Sequence, residues 1–300
     1  MSDEAGYAKA VELFVSATPP VGAPIEDWRS GFEQMCANFP LPADALVEPV
    51  ELSGVPGLRI DAPGTDARKV VLHFHSGGYV EGSARAYREF CYRLAKAAGT
   101  PVLVIDYRLA PEFLFPAPIE DAVAAYESLL DQYAPENIVV TGDSVGGAMV
   151  ISTMMALRDK GTPLPAAGVT ISGNMELAGV LKSFDTNKDS DPLIDRHMSV
   201  EMGKVYIGDL DPMTTVLASP LFGKHHGLPP LLMLASDSEV LRDGTVLVAE
   251  KVRAAGGSAQ LSLQPGMIHI WTLFPFLEAA TESMALIGGF IREHLSVEAG

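Results

Sequence analysis

From about residue 47 onward, short apolar runs alternate with stretches of helical spacing, and this alternation constrains the fold more than any other feature of the chain. Lys69 to His75, Pro101 to Tyr107, Asn137 to Thr141, Ala167 to Ser172, Pro230 to Ala235 and Ala259 to Leu263 read as strands. Between them, Ala84 to Ala98, Ile119 to Tyr133, Gly147 to Lys160, Asp243 to Ala255 and Trp271 to His294 read as helices, several closed by glycine. Strands that are apolar throughout are covered on both faces. The pattern therefore predicts an α/β fold, a mostly parallel central sheet with helices on both faces. Val47 to Leu52 and Leu58 to Asp61 alternate instead, as an antiparallel edge does. An open α/β sheet binds ligands beyond the carboxyl ends of its strands, so the informative residues are those just after each strand.

Two segments stand outside the alternation. Tyr7, Val11, Phe14 and Val15 share one side of a helix that Thr18-Pro19-Pro20 stops, and a second helix fits Pro24 to Ala37. Residues 174–215 are rich in Asp, Lys, Ser and Met and carry no convincing strand. The division expected is an N-terminal helical segment at 1–45, the first part of the core at 46–173, an inserted helical segment at 174–215, and the second part of the core at 216–300.

Composition narrows the function. Of 300 residues 48% are apolar and 20% charged, which excludes a disordered chain. Two cysteines, Cys36 and Cys91, cannot staple a disulfide scaffold and fit a reducing compartment. Met1-Ser2-Asp3-Glu4 lacks the basic start of a signal peptide, and no apolar stretch reaches membrane-spanning length. A cytoplasmic location is expected. Twenty-one basic against 38 acidic residues give a net charge of −17, which repels phosphate backbones and anionic membranes. Nucleic acid and integral-membrane roles are thereby disfavoured, and a small molecule is the expected partner.

Gly142-Asp143-Ser144-Val145-Gly146 lies between a strand and a helix. A serine there occupies a sharp turn that lifts its hydroxyl clear of the sheet, and the flanking glycines leave the turn room. The five-residue pattern alone is weak, with roughly 0.1 chance matches in such a chain; the strand-helix context makes it informative. His75-Ser76-Gly77-Gly78-Tyr79 also follows a strand. Glycine N–H groups there can face a developing oxyanion, so Gly77, Gly78 and Val145 are the candidate donors. His73 and His75 share one strand face, yet His225 and His226 supply no ligand-like motif, so no metal and no cofactor are expected. His75 is read as shaping the glycine loop and His73 as a core or supporting residue.

Serine needs a base. Of the seven histidines, His269 alone follows the last strand and precedes a helix. The acid should follow the strand ending at Ala235, where Asp237 and Glu239 share parity and the spacing does not separate them.

These blocks together resemble the bacterial hormone-sensitive-lipase-like carboxylesterases of the α/β-hydrolase superfamily, from about residue 70 to the end. His75 to Tyr79 is similar to the family's His-Gly-Gly-Gly motif, with Ser76 for the first glycine. Gly142 to Gly147 resembles its Gly-Asp-Ser-Ala-Gly-Gly elbow, with Val145 for alanine. Asp106 to Glu112 followed by Phe115-Pro116-Ala117 is similar to a further block. Aligning Leu241-Arg242-Asp243 with the family's acid motif puts Glu239 in the catalytic place, ahead of Asp237. The resemblance implies an α/β-hydrolase fold with a helical cap made from the N-terminal helices and the 174–215 insertion. It also implies hydrolysis of short- to medium-chain acyl esters through Ser144, His269 and Glu239, and pairing of two chains through an edge strand at 258–264. Tyr79, Phe32 and Met35 are candidate pocket residues. Lactones or amides could serve as substrates of the same triad. A non-catalytic small-molecule receptor is the rival from another class, and the histidine retained at 269 argues against it.

Overall fold

Five strands of the central sheet have no exposed residue. They are β3 (Val70–Phe74), β4 (Val102–Ile105), β5 (Ile138–Asp143), β6 (Ala167–Ile171) and β7 (Leu231–Ser236), in a computed structural model that describes residues 3–295. Residues 1–2 and 296–300, the outer ends of the expected first and last segments, lie outside the described residues. With β1 (Leu46–Leu52), β2 (Val55–Asp61) and β8 (Ala259–Gln264), the sheet runs β1-β2-β4-β3-β5-β6-β7-β8. β1 and β2 pair antiparallel and β2 joins β4 antiparallel; every later pairing is parallel.

Two cores form, one on each face. Val70, Leu72 and Phe74 point into the core under α4 (Ala117–Leu129), α5 (Val145–Lys160) and α8 (Arg242–Ala254). Val71 points into the other, under α3 (Arg88–Ala98), α9 (Glu278–His294) and the N-terminal helices α1 (Asp3–Ala17) and α2 (Ile25–Cys36). Residues one apart on a strand serve opposite cores, so apolar strands show no polar alternation.

The elements differ from expectation in two places. The last helix does not begin at Trp271. Trp271–Leu273 is a single 3-10 turn, Pro275 disfavours helix at the residue before it, and α9 starts at Glu278. The helix expected from Ala84 starts at Arg88, after a turn in which the Ala84 N–H donates to Asp106 Oδ1 (2.6 Å) and the Ala86 N–H to Ser83 Oγ (3.0 Å). The insertion holds two helices, α6 (Ser183–Thr186) and α7 (Arg196–Ile207), and no strand among the described residues. No described helix is long and apolar enough to cross a membrane.

Register sets where function can sit. Phe74 lies beside Gly142, and Asp143 beside Ile171, so the loops after β3, β5 and β6 leave the sheet at one edge. Arg29 on α2 ties the N-terminal helices to that edge, donating to Val80 O (2.8 Å) and pairing with Glu112 (2.7 Å).

The β5–α5 turn fits only without side chains. A Cβ on Gly146 would stand 2.0 Å from Phe74 O and 2.8 Å from His75 O. Gly146→Ala is expected to cost about 3 kcal/mol or more in urea unfolding, or to yield no folded protein. Gly161→Ala, at φ +77° with open space around it, is expected to cost about 1–2 kcal/mol. Equal losses would contradict the steric account.

Candidate active site

Ser144 stands between β5 and α5 at φ 53°, ψ −121°, a backbone conformation that costs an L-residue on the order of 1–3 kcal/mol. Its N–H donates to Ile171 O (2.8 Å), and its carbonyl accepts from Ala148 (3.2 Å) and Asn174 (3.0 Å). These bonds fix the residue although its conformation is unfavourable. The turn closes tightly, since a Cβ on Gly142 would meet Gly146 O at 2.3 Å.

His269 Nε2 lies 2.9 Å from Ser144 Oγ, and His269 Nδ1 lies 2.7 Å from Glu239 Oε2. The carboxylate makes Nδ1 the donor and leaves Nε2 free to accept from the serine hydroxyl. All three residues are buried. The other oxygen of Glu239 accepts the Ser236 N–H at 2.9 Å, which holds the carboxylate in one orientation.

The two residues that shared parity separate here. Asp237 Oδ1 turns to the backbone of the following loop and accepts the Gly266 N–H at 2.8 Å. Together with Ser236 Oγ donating to Met267 O (2.6 Å) and Asp237 N–H donating to Gln264 O (3.1 Å), it clamps the loop that carries His269.

Gly77 and Gly78 adopt φ 117° and 61°, which favour glycine. Their N–H groups, and that of Val145, donate to no other group among the described residues. All three residues line the same cavity as Ser144 and His269. The cavity, about 80 Å³, is roofed by Phe14, Trp28 and Phe32 of α1 and α2 and by Met198 and Met202 of α7. Phe32 is there as expected. Met35 is not; it packs into the core beneath. Tyr79 is not a pocket residue either. Its ring stacks on Tyr206 with centroids 3.7 Å apart, and burial raises its pKa.

Residues 71–273 match a family described by its alpha/beta hydrolase fold. An acetyl-hydrolase of Streptomyces hygroscopicus is 38% identical over 232 residues, 77% of each chain. A putative acetyl-hydrolase, LipR, of Mycobacterium tuberculosis is 34% identical over 89% of this chain and 86% of its own. A solved esterase of the bacterial hormone-sensitive lipase family superposes with a TM-score of 0.95 at 38% identity, covering 99% of this chain and 100% of its own. The chain belongs to this family of carboxylic ester hydrolases.

The esterase holds several supporting residues that the sequence did not single out. Asn187 in the insertion donates through Nδ2 to both Asp237 O (2.8 Å) and Glu239 O (2.9 Å). Asp191 accepts the Val240 N–H at 2.9 Å. Both lie in the stretch read as an inserted helical segment rich in Asp, Lys, Ser and Met, and only the tertiary contact reveals them. Ser172 Oγ accepts the Ile270 N–H (3.1 Å) beside His269. Asp143 accepts a hydrogen bond from Tyr87 OH, and Ser76 Oγ meets the same hydroxyl at 2.6 Å. The departure from glycine at Ser76 thus ties the glycine loop to the residue before Ser144.

His75 Nδ1 donates to Ser76 O (2.7 Å), and the ring stacks on Tyr107 with centroids 4.2 Å apart. Burial pushes its pKa down to about 4 from 6.5. Between those values the unfolded chain binds a proton that the folded protein refuses, so stability is lost as pH falls from about 6.5 toward 4. The loss is on the order of 3 kcal/mol. Unfolding free energies from pH 7 to 4 should therefore fall less steeply in His75→Gln than in the parent; an unchanged slope would refute this.

Proposed function

We propose that this chain hydrolyses esters of short acyl chains through an acyl-enzyme on Ser144, with His269 as base and Glu239 orienting the imidazole. The observation that carries this reading is the unbroken run of hydrogen bonds from Ser144 Oγ through His269 to Glu239. Attack by Ser144 Oγ on the ester carbonyl passes its proton to His269 Nε2, and Glu239 stabilises the imidazolium. The oxyanion accepts from the N–H groups of Gly77, Gly78 and Val145, where losing one donor costs about 3 kcal/mol. His269 then protonates the leaving alcohol and activates water against the acyl-enzyme.

The helices α1, α2 and α7 act in this reading as a cap, and the small cavity beneath them favours short acyl groups. The acetyl-hydrolase names of the relatives point the same way. Two buried free cysteines fit cytoplasmic residence. Pairing of two chains through β8 fits its place at the sheet edge, with Leu263 exposed.

Ser144→Ala should lose at least about 10⁴-fold in kcat on p-nitrophenyl butyrate with its unfolding curve unchanged. Glu239→Gln should lose about 10²–10⁴-fold, and Asp237→Asn about tenfold or less. Retained activity in Ser144→Ala, or a larger loss at Asp237 than at Glu239, would overturn the assignment. Light scattering should give a dimer that Leu263→Lys converts to monomer; a monomeric parent would remove the β8 pairing.

A further inference from the structure

The polar atoms in this cavity exceed what ester hydrolysis needs. Asn174 and Ser199 are 8% and 6% exposed, and neither Asn174 Oδ1 nor Ser199 Oγ has a hydrogen-bond partner. Glu81, half-buried, lines the same cavity, and its carboxyl makes no hydrogen bond or ion pair among the described residues. Buried polar groups are ordinarily paired, and a cavity that leaves two of them unpaired beside a half-buried carboxyl is built for a ligand that supplies the donors.

Their placement surrounds the nucleophile. The Glu81 side chain curls over Gly77, its Cγ 2.9 Å from where a Cβ on that residue would stand. Asn174 is held against the elbow through its N–H bond to Ser144 O (3.0 Å). Ser199 lies on α7 one turn before Met202, whose Cε packs 3.4 Å from the Cβ position of Gly78. Trp28 and Phe32 line the cavity as well.

Resting on the esterase reading above, we propose that the substrate carries a protonated amine, held by Glu81 with Asn174 and Ser199 accepting its N–H bonds. An ammonium group supplies several donors and one positive charge, which match two neutral acceptors and one carboxyl. Aromatic faces attract the same cation. The net charge of −17 gives the protein a field that draws cations in. Burial raises the Glu81 pKa to about 8, so an uncharged ester meets a largely neutral carboxyl near pH 7. A bound ammonium favours the ionised form and draws the proton off.

The test compares isosteric esters with and without the charge at pH 7.5. Ethyl 3-aminopropanoate against ethyl butanoate places the amine on the acyl side. 2-(Dimethylamino)ethyl acetate against 3-methylbutyl acetate places it on the alcohol side. For each pair, the ratio of kcat/KM values is divided by the ratio of hydroxide-catalysed rates, which removes intrinsic reactivity. His269 serves both members of a pair and cancels. In at least one arm the corrected ratio should exceed about 10. It should fall at least tenfold in Glu81→Gln and at least threefold in Asn174→Leu, the second variant carrying the test if the first does not fold. A corrected ratio of 1 or below in both arms, or one that neither variant changes, would overturn the proposal. Failure of the parent protein to cleave the neutral esters as well would sink the esterase reading and this one with it.

Discussion

Everything at the carboxyl edge of the sheet depends on one residue held in an unfavourable backbone conformation. Ser144 at φ 53° raises its hydroxyl above the strand ends, and that hydroxyl makes no capping bond to α5. The restraint comes from its neighbours. β6 accepts its N–H, and Ala148 and Asn174 donate to its carbonyl. The strand next door presses on the turn through Phe74 O, at a distance that excludes any side chain on Gly146. A strain of a few kcal/mol persists only where the surroundings over-determine it. The fully buried strands on both sides of β5 supply that rigidity.

The second requirement is that Glu239 and His269, 30 residues apart, arrive in register. Adjacency of β7 and β8 brings the loops together, but strand pairing alone leaves their ends free. The loop after β7 closes that freedom by holding the next loop at Gln264, Gly266 and Met267, while Ser236 N–H orients Glu239. Asn187 and Asp191 then fasten the acid loop from the insertion side. The insertion therefore does more than roof the cavity. Hydrogen bonds from it and from its neighbouring loop fix the distance between Glu239 and His269, which a few tenths of an ångström would spoil.

Much of this was legible in the residues. Apolar runs reported the buried strands because a two-sided sheet needs nothing else of its sequence, and glycines at 142 and 146 reported the elbow because only they fit. The misread start of the last helix shows the limit. Trp271 to Leu273 has helical spacing, and the turn at Ile270 (φ 47°) and Pro275 decide against it locally. Glu239 and Asp237 share parity, so periodicity could not divide them; the direction of each carboxyl depends on which backbone N–H groups face it. Tyr79 follows the glycines in sequence but turns away from the cavity at positive φ (66°), and its ring leaves with the backbone. Asn187 and Asp191 carry no local mark at all, because their partners lie some 50 residues away.

The buried polar network behind the elbow follows from the same economy of space. A carboxylate at Asp143 lies 1% exposed, and removing a charge from water is costly unless it is hydrogen-bonded. Tyr87 OH bonds to one of its oxygens, and His73 Nε2 stands 3.4 Å from the other while its Nδ1 contacts Thr141 Oγ1 at 2.9 Å. Ser76 joins through its hydroxyl and its N–H, both directed at the Tyr87 oxygen. A buried network of this kind gains little net stability over an apolar filling, and here Asp143 Oδ1 and His73 Nε2 carry no hydrogen bond of their own. What it secures here is geometry. The glycine loop and the Ser144 turn follow different strands, and Tyr87 joins them through hydroxyl bonds on both sides. The Gly77–Gly78 backbone and the Ser144 turn are thus positioned by one shared group rather than by two independent loops.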